Sequence, residues 1–459
     1  MKKKALAGMA AGLLALSLAA CSGTGTPPTE QTPAAPGPSA LAAAQGTTSI
    51  SIWHGLGGKN GEAFDALIKQ FNDQNKGKIN VTSNFQGSYT DLLAKYTAGL
   101  RDNSSPTVLL AGDIASGYLN DVKRSISPAD MAKANPDGLN LDEIRDAGKN
   151  YYSANGKIAA VPMNMSTPVL WVNKDLLAQA GVDPSTPMTT LSEVATVATK
   201  VKNATGKAGI VQPFDGWWFE QMTAGSGNLY CTPDNGRGAG GQATAVSLTA
   251  DKQKAAFKTM ADLYTSKVGL DVGVDGNAAL TAFTAGQVAL MLNSSGAAGG
   301  IGNGAKFNYT ALPYPTTGDK TSSGPLIGGS ALWLSSTASD AQKVAGWKLI
   351  SFLAWAQSQE TFSQATGYVP VNTKVDTSPT HQAFLKSNPS ASVFAEQINK
   401  TPSVPATAGC LSGAMTAIRS AVVSQMQAAF SGTVSLENAL KKAEEDSNKA
   451  ISQYRQQLG

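Results

Sequence analysis

A chain of 459 residues with 36 Lys and Arg, 32 Asp and Glu and a formal charge of +4 is too long for a single core and too weakly basic for a nucleic-acid binder. It has only two histidines, His54 and His381, and three cysteines. Without a ligand-spaced His/Cys cluster, a G-x-S-x-G turn or a phosphate loop, metal, nucleophilic and nucleotide chemistry all lack their usual residues.

In chain order, Lys2, Lys3 and Lys4 precede an apolar run over 5–20 that has the charge and length of an export signal and is too short for a stable membrane span. The run ends at Leu18-Ala19-Ala20-Cys21, which resembles a bacterial lipobox, so 1–21 reads as a lipoprotein signal peptide with Cys21 as the acylated residue. The expected location is the outer face of the bacterial cytoplasmic membrane, with the Cys21 lipid as the only membrane contact. Loss of the three lysines leaves 33 basic against 32 acidic residues, a further argument against a nucleic-acid partner. Residues 22–47, rich in Ser, Thr, Gly, Pro and Ala without hydrophobic periodicity, read as a flexible tether.

From Thr48 onward, strand and helix patterns alternate. A β-prone run at 49–53 leads into the Gly55-Leu56-Gly57-Gly58 turn. Phe64, Leu67, Ile68 and Phe71 then fall at i, i+3, i+4 and i+7, which predicts a helix with one apolar stripe. A strand at 78–82, a helix carrying Leu92, Leu93, Tyr96 and Leu100, and an apolar strand at 107–111 continue a βαβα order that predicts a mainly parallel sheet. A second such region opens with a strand at 169–173, and Thr190 and Glu193 stand at capping-box spacing to start the helix after it. Long amphipathic helices are predicted over 343–355 and 436–458. Cys231 and Cys410, an even pair in an exported chain, are expected to form a disulfide closing a loop of roughly 180 residues.

The segment PMNMSTPVLWVNKD at 162–175, together with FNY at 307–309, LIGGSALW at 326–333 and TGYVP at 366–370, resembles the extracellular solute-binding family that includes maltose-binding protein. Within that family the blocks are most similar to the glycerol-phosphate-binding components of bacterial importers, and the similarity covers nearly all of the chain from residue 48. The resemblance implies an α/β fold of the periplasmic-binding-protein type II, with a hinge and a ligand cleft between two lobes. Those lobes would be 48–165 plus 314–375 and 166–313 plus 376–459. It further implies a monomer without enzymatic activity, cofactor or metal. Such a protein delivers a glycerol-phosphate-type or carbohydrate solute to the transmembrane subunits of an ABC permease.

Matching family positions would place Tyr89, Asp113, Asn164, Ser166, Trp217, Ser294, Ser295, Gly329 and Tyr368 on the ligand. Tyr89 and Tyr368 offer an apolar face with a hydroxyl at its edge, and Trp217, next to Trp218, a broader one. Asp113 offers acceptors to hydroxyl groups. The Ser294-Ser295-Gly296 and Gly328-Gly329-Ser330 turns carry backbone N–H groups that could cradle an anion. Each also fits a plainer role, Asp113 as a helix cap and a tryptophan in its own lobe's core. Trp53 and His54 are expected to pack behind the site. One position departs from the family: Leu411 stands where glycerophosphate binders carry an arginine, while Arg419 matches a separate family arginine. A bidentate phosphate partner is thereby lost. Either backbone amides and serines, assisted by Lys59 or Arg237, hold phosphate, or the ligand is a neutral mono- or oligosaccharide. A rival reading is a lipid-anchored glycoside hydrolase that pairs Asp113 with Glu220 or Asp215.

Overall fold

The computed structural model describes residues 35–238, 241–317 and 324–458; the signal peptide, Cys21 and residues 22–34 of the tether lie outside them. In the remainder of the segment read as tether, a short helix, Ser39–Ala42, rests against helix Asp340–Ala354. Just before it, the Asn135 side chain donates to the Pro36 carbonyl at 3.0 Å.

The periodicity of the sequence becomes helix where it can bury one face. Phe64, Leu67, Ile68 and Phe71 are all buried on helix Gly58–Gln74. Helix Tyr89–Asp102 starts on a capping box in which Ser88 and Asp91 satisfy each other's backbone N–H, and helix Leu191–Thr205 starts on the same device between Thr190 and Glu193. Each ends where a residue takes the left-handed conformation, Asn103 and Gly206.

Two five-stranded sheets organise these helices. The first has the order Ile79–Phe85, Thr48–His54, Val108–Gly112, Gly328–Leu334, Val161–Ser166; the second has Gly269–Leu270, Ala208–Val211, Val288–Ser294, Pro168–Asn173, Tyr309–Pro313. The βαβα order predicts mainly parallel pairing, yet each sheet is half antiparallel. Thr48–His54 runs parallel to both of its neighbours, whereas Gly328–Leu334 runs antiparallel to both of its own. The reason is the path of the chain. Strand Gly328–Leu334 comes back from the second sheet and slots between two strands already laid down, so no crossover helix fixes its direction.

The chain passes between the sheets at Thr167, the single residue separating strand Val161–Ser166 from strand Pro168–Asn173. It returns between Tyr309–Pro313 and Gly328–Leu334. After Val369, which pairs with Met165, helix Pro389–Lys400 packs under the second sheet, where Phe394 meets Trp171 edge-on at 5.5 Å. Helices Met415–Phe430 and Leu436–Leu458 complete that half. Cys231 and Cys410 are joined as a disulfide with Cα atoms 5.5 Å apart.

Candidate functional site

Parallel strands Thr48–His54 and Val108–Gly112 end side by side. Tyr89, the first residue of its helix, lies across both strand ends. A Cβ on Gly112 would sit 2.5 Å from its ring and one on Gly55 2.8 Å. These two glycines therefore seat the tyrosine. Gly112→Ala is expected to push the ring off its seat and weaken solute binding about tenfold in calorimetry, with little change in melting temperature because the ring is only partly buried. Trp53 is half-buried, while His54 is buried, its Nε2 3.0 Å from Ser83 Oγ and its ring 4.8 Å from that of Phe64. Burial lowers its pKa, so His54 is a neutral packing group beneath the site.

Around Tyr89 the structure gathers buried polar atoms that lack a hydrogen bond of regular geometry to the protein. The Tyr89 hydroxyl is buried without a hydrogen-bond partner, and burial pushes its pKa up to about 12 although Ser330 and Asn164 lie close enough to pull it back. Asn164 is fully buried. Its Oδ1 accepts from the Ser330 N–H at 2.9 Å and from the Ser330 hydroxyl, which leaves its Nδ2 without an acceptor. The Tyr152 hydroxyl and the Trp217 Nε1 are buried and unpartnered as well. Tyr368 and Tyr152 are both raised, by burial first and then by each other's neighbours Tyr89 and Asp113, which locates them around the same space. Trp217 reaches this group from the second half: its ring would lie 2.9 Å from a Cβ on Gly328, beside Ser166 Oγ at 2.8 Å. Its neighbour Trp218 faces Tyr314 at 6.3 Å and belongs to the core. Tyr151 and Tyr152, absent from the residues singled out in the sequence, carry no motif beyond being adjacent.

The charged groups are spoken for. Arg419, on helix Met415–Phe430, donates to Asp113 Oδ2 at 2.5 Å and to Glu220 Oε1 at 2.6 Å, so one guanidinium bridges a carboxylate from each half. Burial disfavours its charge, but Asp113 and Glu220 hold its pKa well above the ordinary value. Burial likewise pushes Glu220 up, against the pull of Arg419. Arg237 donates to the carbonyls of Gly409 at 2.7 Å and Ser153 at 2.9 Å and lies over the Tyr151 ring at 5.2 Å. Lys59 is paired with Glu62 at 2.6 Å. Leu411 sits elsewhere, in a small cavity with Asp121 and Tyr454. A glycosidase would need two carboxylates free to act separately. Here Asp113 and Glu220 share one arginine, and Asp215 caps helix Gly216–Gly225 by accepting from the Trp217 N–H at 2.9 Å.

The two serine-glycine turns behave differently from the anion cradles read in the sequence. The Ser295 N–H donates to the Thr167 carbonyl at 2.8 Å and its hydroxyl accepts from the Thr167 N–H at 3.2 Å, so Ser295 clamps the crossover between the sheets. The Gly296 N–H is taken by Ser294 Oγ and the Ser330 N–H by Asn164. These donors are used up internally because a buried crossover must satisfy its own backbone. Gly329 pairs with Met165 in the sheet, at φ +123. Ser294 and Tyr368 do line a cavity of about 500 Å³ that opens between the halves. Gly55, Lys59 and Phe85 border it on one side, and Asn277 and Leu280 on the other. Asn60 Nδ2 spans its edge to the Gly296 carbonyl at 3.4 Å. Among the described residues no group of His, Cys, Asp and Glu is gathered that could hold a metal, and no helix is long and apolar enough to cross a membrane.

A sequence profile described as Bacterial extracellular solute-binding protein matches residues 66–409. The sn-glycerol-3-phosphate-binding periplasmic protein UgpB of Escherichia coli K12 is 28% identical over 421 residues, covering 90% of this chain and 94% of its own. Among solved structures, UgpB from Mycobacterium tuberculosis in complex with glycerophosphocholine has a TM-score of 0.75 at 21% identity, over 89% of this chain and 99% of its own. The GacH receptor of Streptomyces glaucescens, solved unliganded and with acarbose, has a TM-score of 0.73 at 21% identity, over 88% and 99%. At such identities the likeness establishes the architecture, that of the α/β type II periplasmic-binding fold, and leaves the ligand to the chemistry of the site.

Proposed function

Because the chain belongs to the bacterial extracellular solute-binding protein family, we propose that it captures a small hydroxyl-rich solute between its two halves and hands it, unaltered, to the transmembrane subunits of an ABC importer. The solute is of glycerol-phosphate type or a carbohydrate. In this reading the lobes are 48–165 with 314–375 and 166–313 with 376–459, the Cys21 lipid holds the protein at the membrane, and a monomer suffices. Strand passages that act as a hinge turn ligand capture into lobe closure, a shape change that a permease can sense.

One observation carries the reading: Tyr89, Tyr152, Asn164 and Trp217 bury polar hydrogens that have no acceptor. Leaving a buried donor unmet costs about 1–3 kcal/mol each, so a ligand that supplies oxygen when the halves close on it would relieve that cost. The Tyr89, Tyr368 and Trp217 rings supply apolar faces for its C–H groups. Such a set suits micromolar affinity, about −8 kcal/mol. A specific observation favours the carbohydrate branch: Arg419 and Lys59 are ion-paired with carboxylates, and Arg237 spends two of its N–H groups on backbone carbonyls, so no guanidinium fork is left free for bidentate contact with a phosphate.

Calorimetric titration with glycerol-3-phosphate, glycerophosphocholine, maltose and trehalose tests both levels. Heat from the sugars alone selects the neutral ligand, heat from the phosphates alone selects glycerophosphate, and heat from no hydroxylated solute in this or a wider thermal-shift panel sinks the capture reading. Trp217→Ala is expected to weaken whichever ligand binds about tenfold, by removing both the indole face and the Nε1 donor.

A further inference from the structure

The two halves also meet along a seam that shares no lining residue with the cleft cavity. Helix Ser116–Val122, which follows strand Val108–Gly112 of the first sheet, lies there against residues 411–413 and the end of helix Leu436–Leu458. Asp121 on the first helix accepts from the Tyr454 hydroxyl at 2.9 Å and from Gln242 Nε2 at 2.9 Å, one donor on each carboxylate oxygen. Both donors belong to the second half. Gln242 sits in the loop joining Cys231–Thr232 to Ala245–Val246, and the helix that carries Tyr454 is tied to the same segment, where Asn448 accepts from the Val246 N–H and Glu444 from the Leu248 N–H. Gly236 lines the seam too, and its neighbour Arg237 reaches the Ser153 carbonyl of the first half at 2.9 Å.

Close approach is written into the chain at this seam. A Cβ on Gly117 would run into the Ser412 carbonyl and stand 2.7 Å from the Gly413 nitrogen, so only a residue without a side chain lets the helix touch the backbone of the other half. Within its own helix a glycine is less favourable than an alanine, so contact across the seam is what accounts for Gly117. The rim where the cleft cavity opens is looser: Asn60 Nδ2 reaches the Gly296 carbonyl at 3.4 Å, and Phe85 stands 58% exposed.

We propose that this seam is a latch: it shuts one rim of the cleft through protein groups alone and thereby sets how much of the protein is closed before a solute arrives. The inference rests on the two lobes read above. In an open form water would solvate Asp121, Tyr454 and Gln242 separately, and each net hydrogen bond regained on closing shifts the balance by a factor of roughly two to ten. The carboxylate acceptor makes both bonds charge-assisted. A solute held between the halves draws on the same equilibrium, because its apparent affinity scales with the fraction of protein in the form that binds it. The latch therefore raises the affinity for every solute by one common factor, and the cleft residues decide which solute that is.

The test compares the full purified chain with two variants. Tyr454→Phe combined with Gln242→Ala removes both donors to Asp121, and Gly117→Ala wedges the rim apart with a methyl group that suits its own helix. Small-angle scattering is recorded without solute, and calorimetry with maltose, trehalose, glycerol-3-phosphate and glycerophosphocholine. Both variants are expected to scatter as larger, more open particles than wild type in the absence of solute. They should bind each solute that wild type binds about tenfold more weakly, by the same factor for all, while melting near the wild-type temperature. The proposal is overturned if the solute-free curves of the folded variants superimpose on that of wild type, or if their affinities equal those of wild type. A lower melting temperature with unchanged affinity likewise overturns it, by assigning these residues to fold stability alone. Should one variant prove unfolded by circular dichroism, the other decides. If wild type binds none of the solutes, the capture reading is what fails, and the solute-free curves then decide the latch by themselves.

Discussion

Arg419→Met is expected to lower the melting temperature by roughly 3–6 °C, from a loss of about 3–5 kcal/mol. The magnitude reflects the charges left behind. Arg419, Asp113 and Glu220 have side-chain exposures of 11%, 9% and 1%, so the methionine strands two carboxylates in a space that water barely reaches. Glu220 then suffers most, because burial already pushes its pKa up and the opposing guanidinium is gone. This fixes the sign of the pH dependence. A carboxyl whose folded pKa lies above its unfolded one binds a proton more readily in the native state, so the protein gains stability as pH falls through that folded value. The deficit of R419M should therefore be largest near neutrality and shrink toward acid, and Glu220→Gln in the same background should recover part of it at pH 7. Thermal melts from pH 5 to 8 decide the matter. A deficit that is flat with pH, and indifferent to Glu220→Gln, would show that Arg419 contributes packing alone.

The same ion triad marks the boundary of what could be read from the sequence. Local rules act over a few residues. The stripe through Phe64, Leu67, Ile68 and Phe71 and the Thr190/Glu193 capping box were legible for that reason, and both stand in the structure where the pattern put them. Asp113 and Arg419 are 306 positions apart, and no local pattern couples them. The direction of strand Gly328–Leu334 escaped for a related reason. Its hydrophobic run says that it is buried, but its pairing partners are chosen by the route of the chain through the other sheet. Ser295 shows a third kind of miss. Serine beside glycine in a turn suggests free N–H groups, whereas here the serine is spent on the backbone of Thr167, a contact that exists only because the crossover is a single residue long.

Taken together, the polar atoms at the cleft fall into two sets with different work. Those that bridge the halves, Arg419 with its carboxylates and Ser295 with Thr167, are fully satisfied and hold geometry. Those on Tyr89, Tyr152, Asn164 and Trp217 have no hydrogen-bond partner in the protein and, in the reading proposed above, await the solute. Placing the unmet donors on residues that the satisfied ones lock in position keeps them aimed before the ligand arrives, which reduces the ordering cost of binding.

Breaking the Cys231–Cys410 disulfide, by Cys231→Ala with Cys410→Ala, is expected to cost about 2–5 kcal/mol. In the chain-entropy account, opening a loop spanning 179 positions restores enough freedom to the unfolded chain to reach the top of that range, about 5 kcal/mol. Local bonds temper the loss in the native state. Asn235 accepts from the Cys231 N–H at 2.7 Å and the Leu411 N–H at 2.8 Å and donates to the Pro405 carbonyl at 2.8 Å, so the two segments stay in register without the sulfurs. The fold should thus survive, with a melting temperature lowered by roughly 2–6 °C. Arg237 extends the effect to the cleft. It is held by the Gly409 carbonyl, one residue before Cys410, and lies over Tyr151, whose hydroxyl is 3.4 Å from Asp113. Solute affinity should consequently fall by a few-fold in the double variant, and reductant should lower the melting temperature of wild type toward that of the variant while leaving the variant unmoved. Wild type that melts at the same temperature with and without reductant, after alkylation proves both thiols free, would deny the bridge this role.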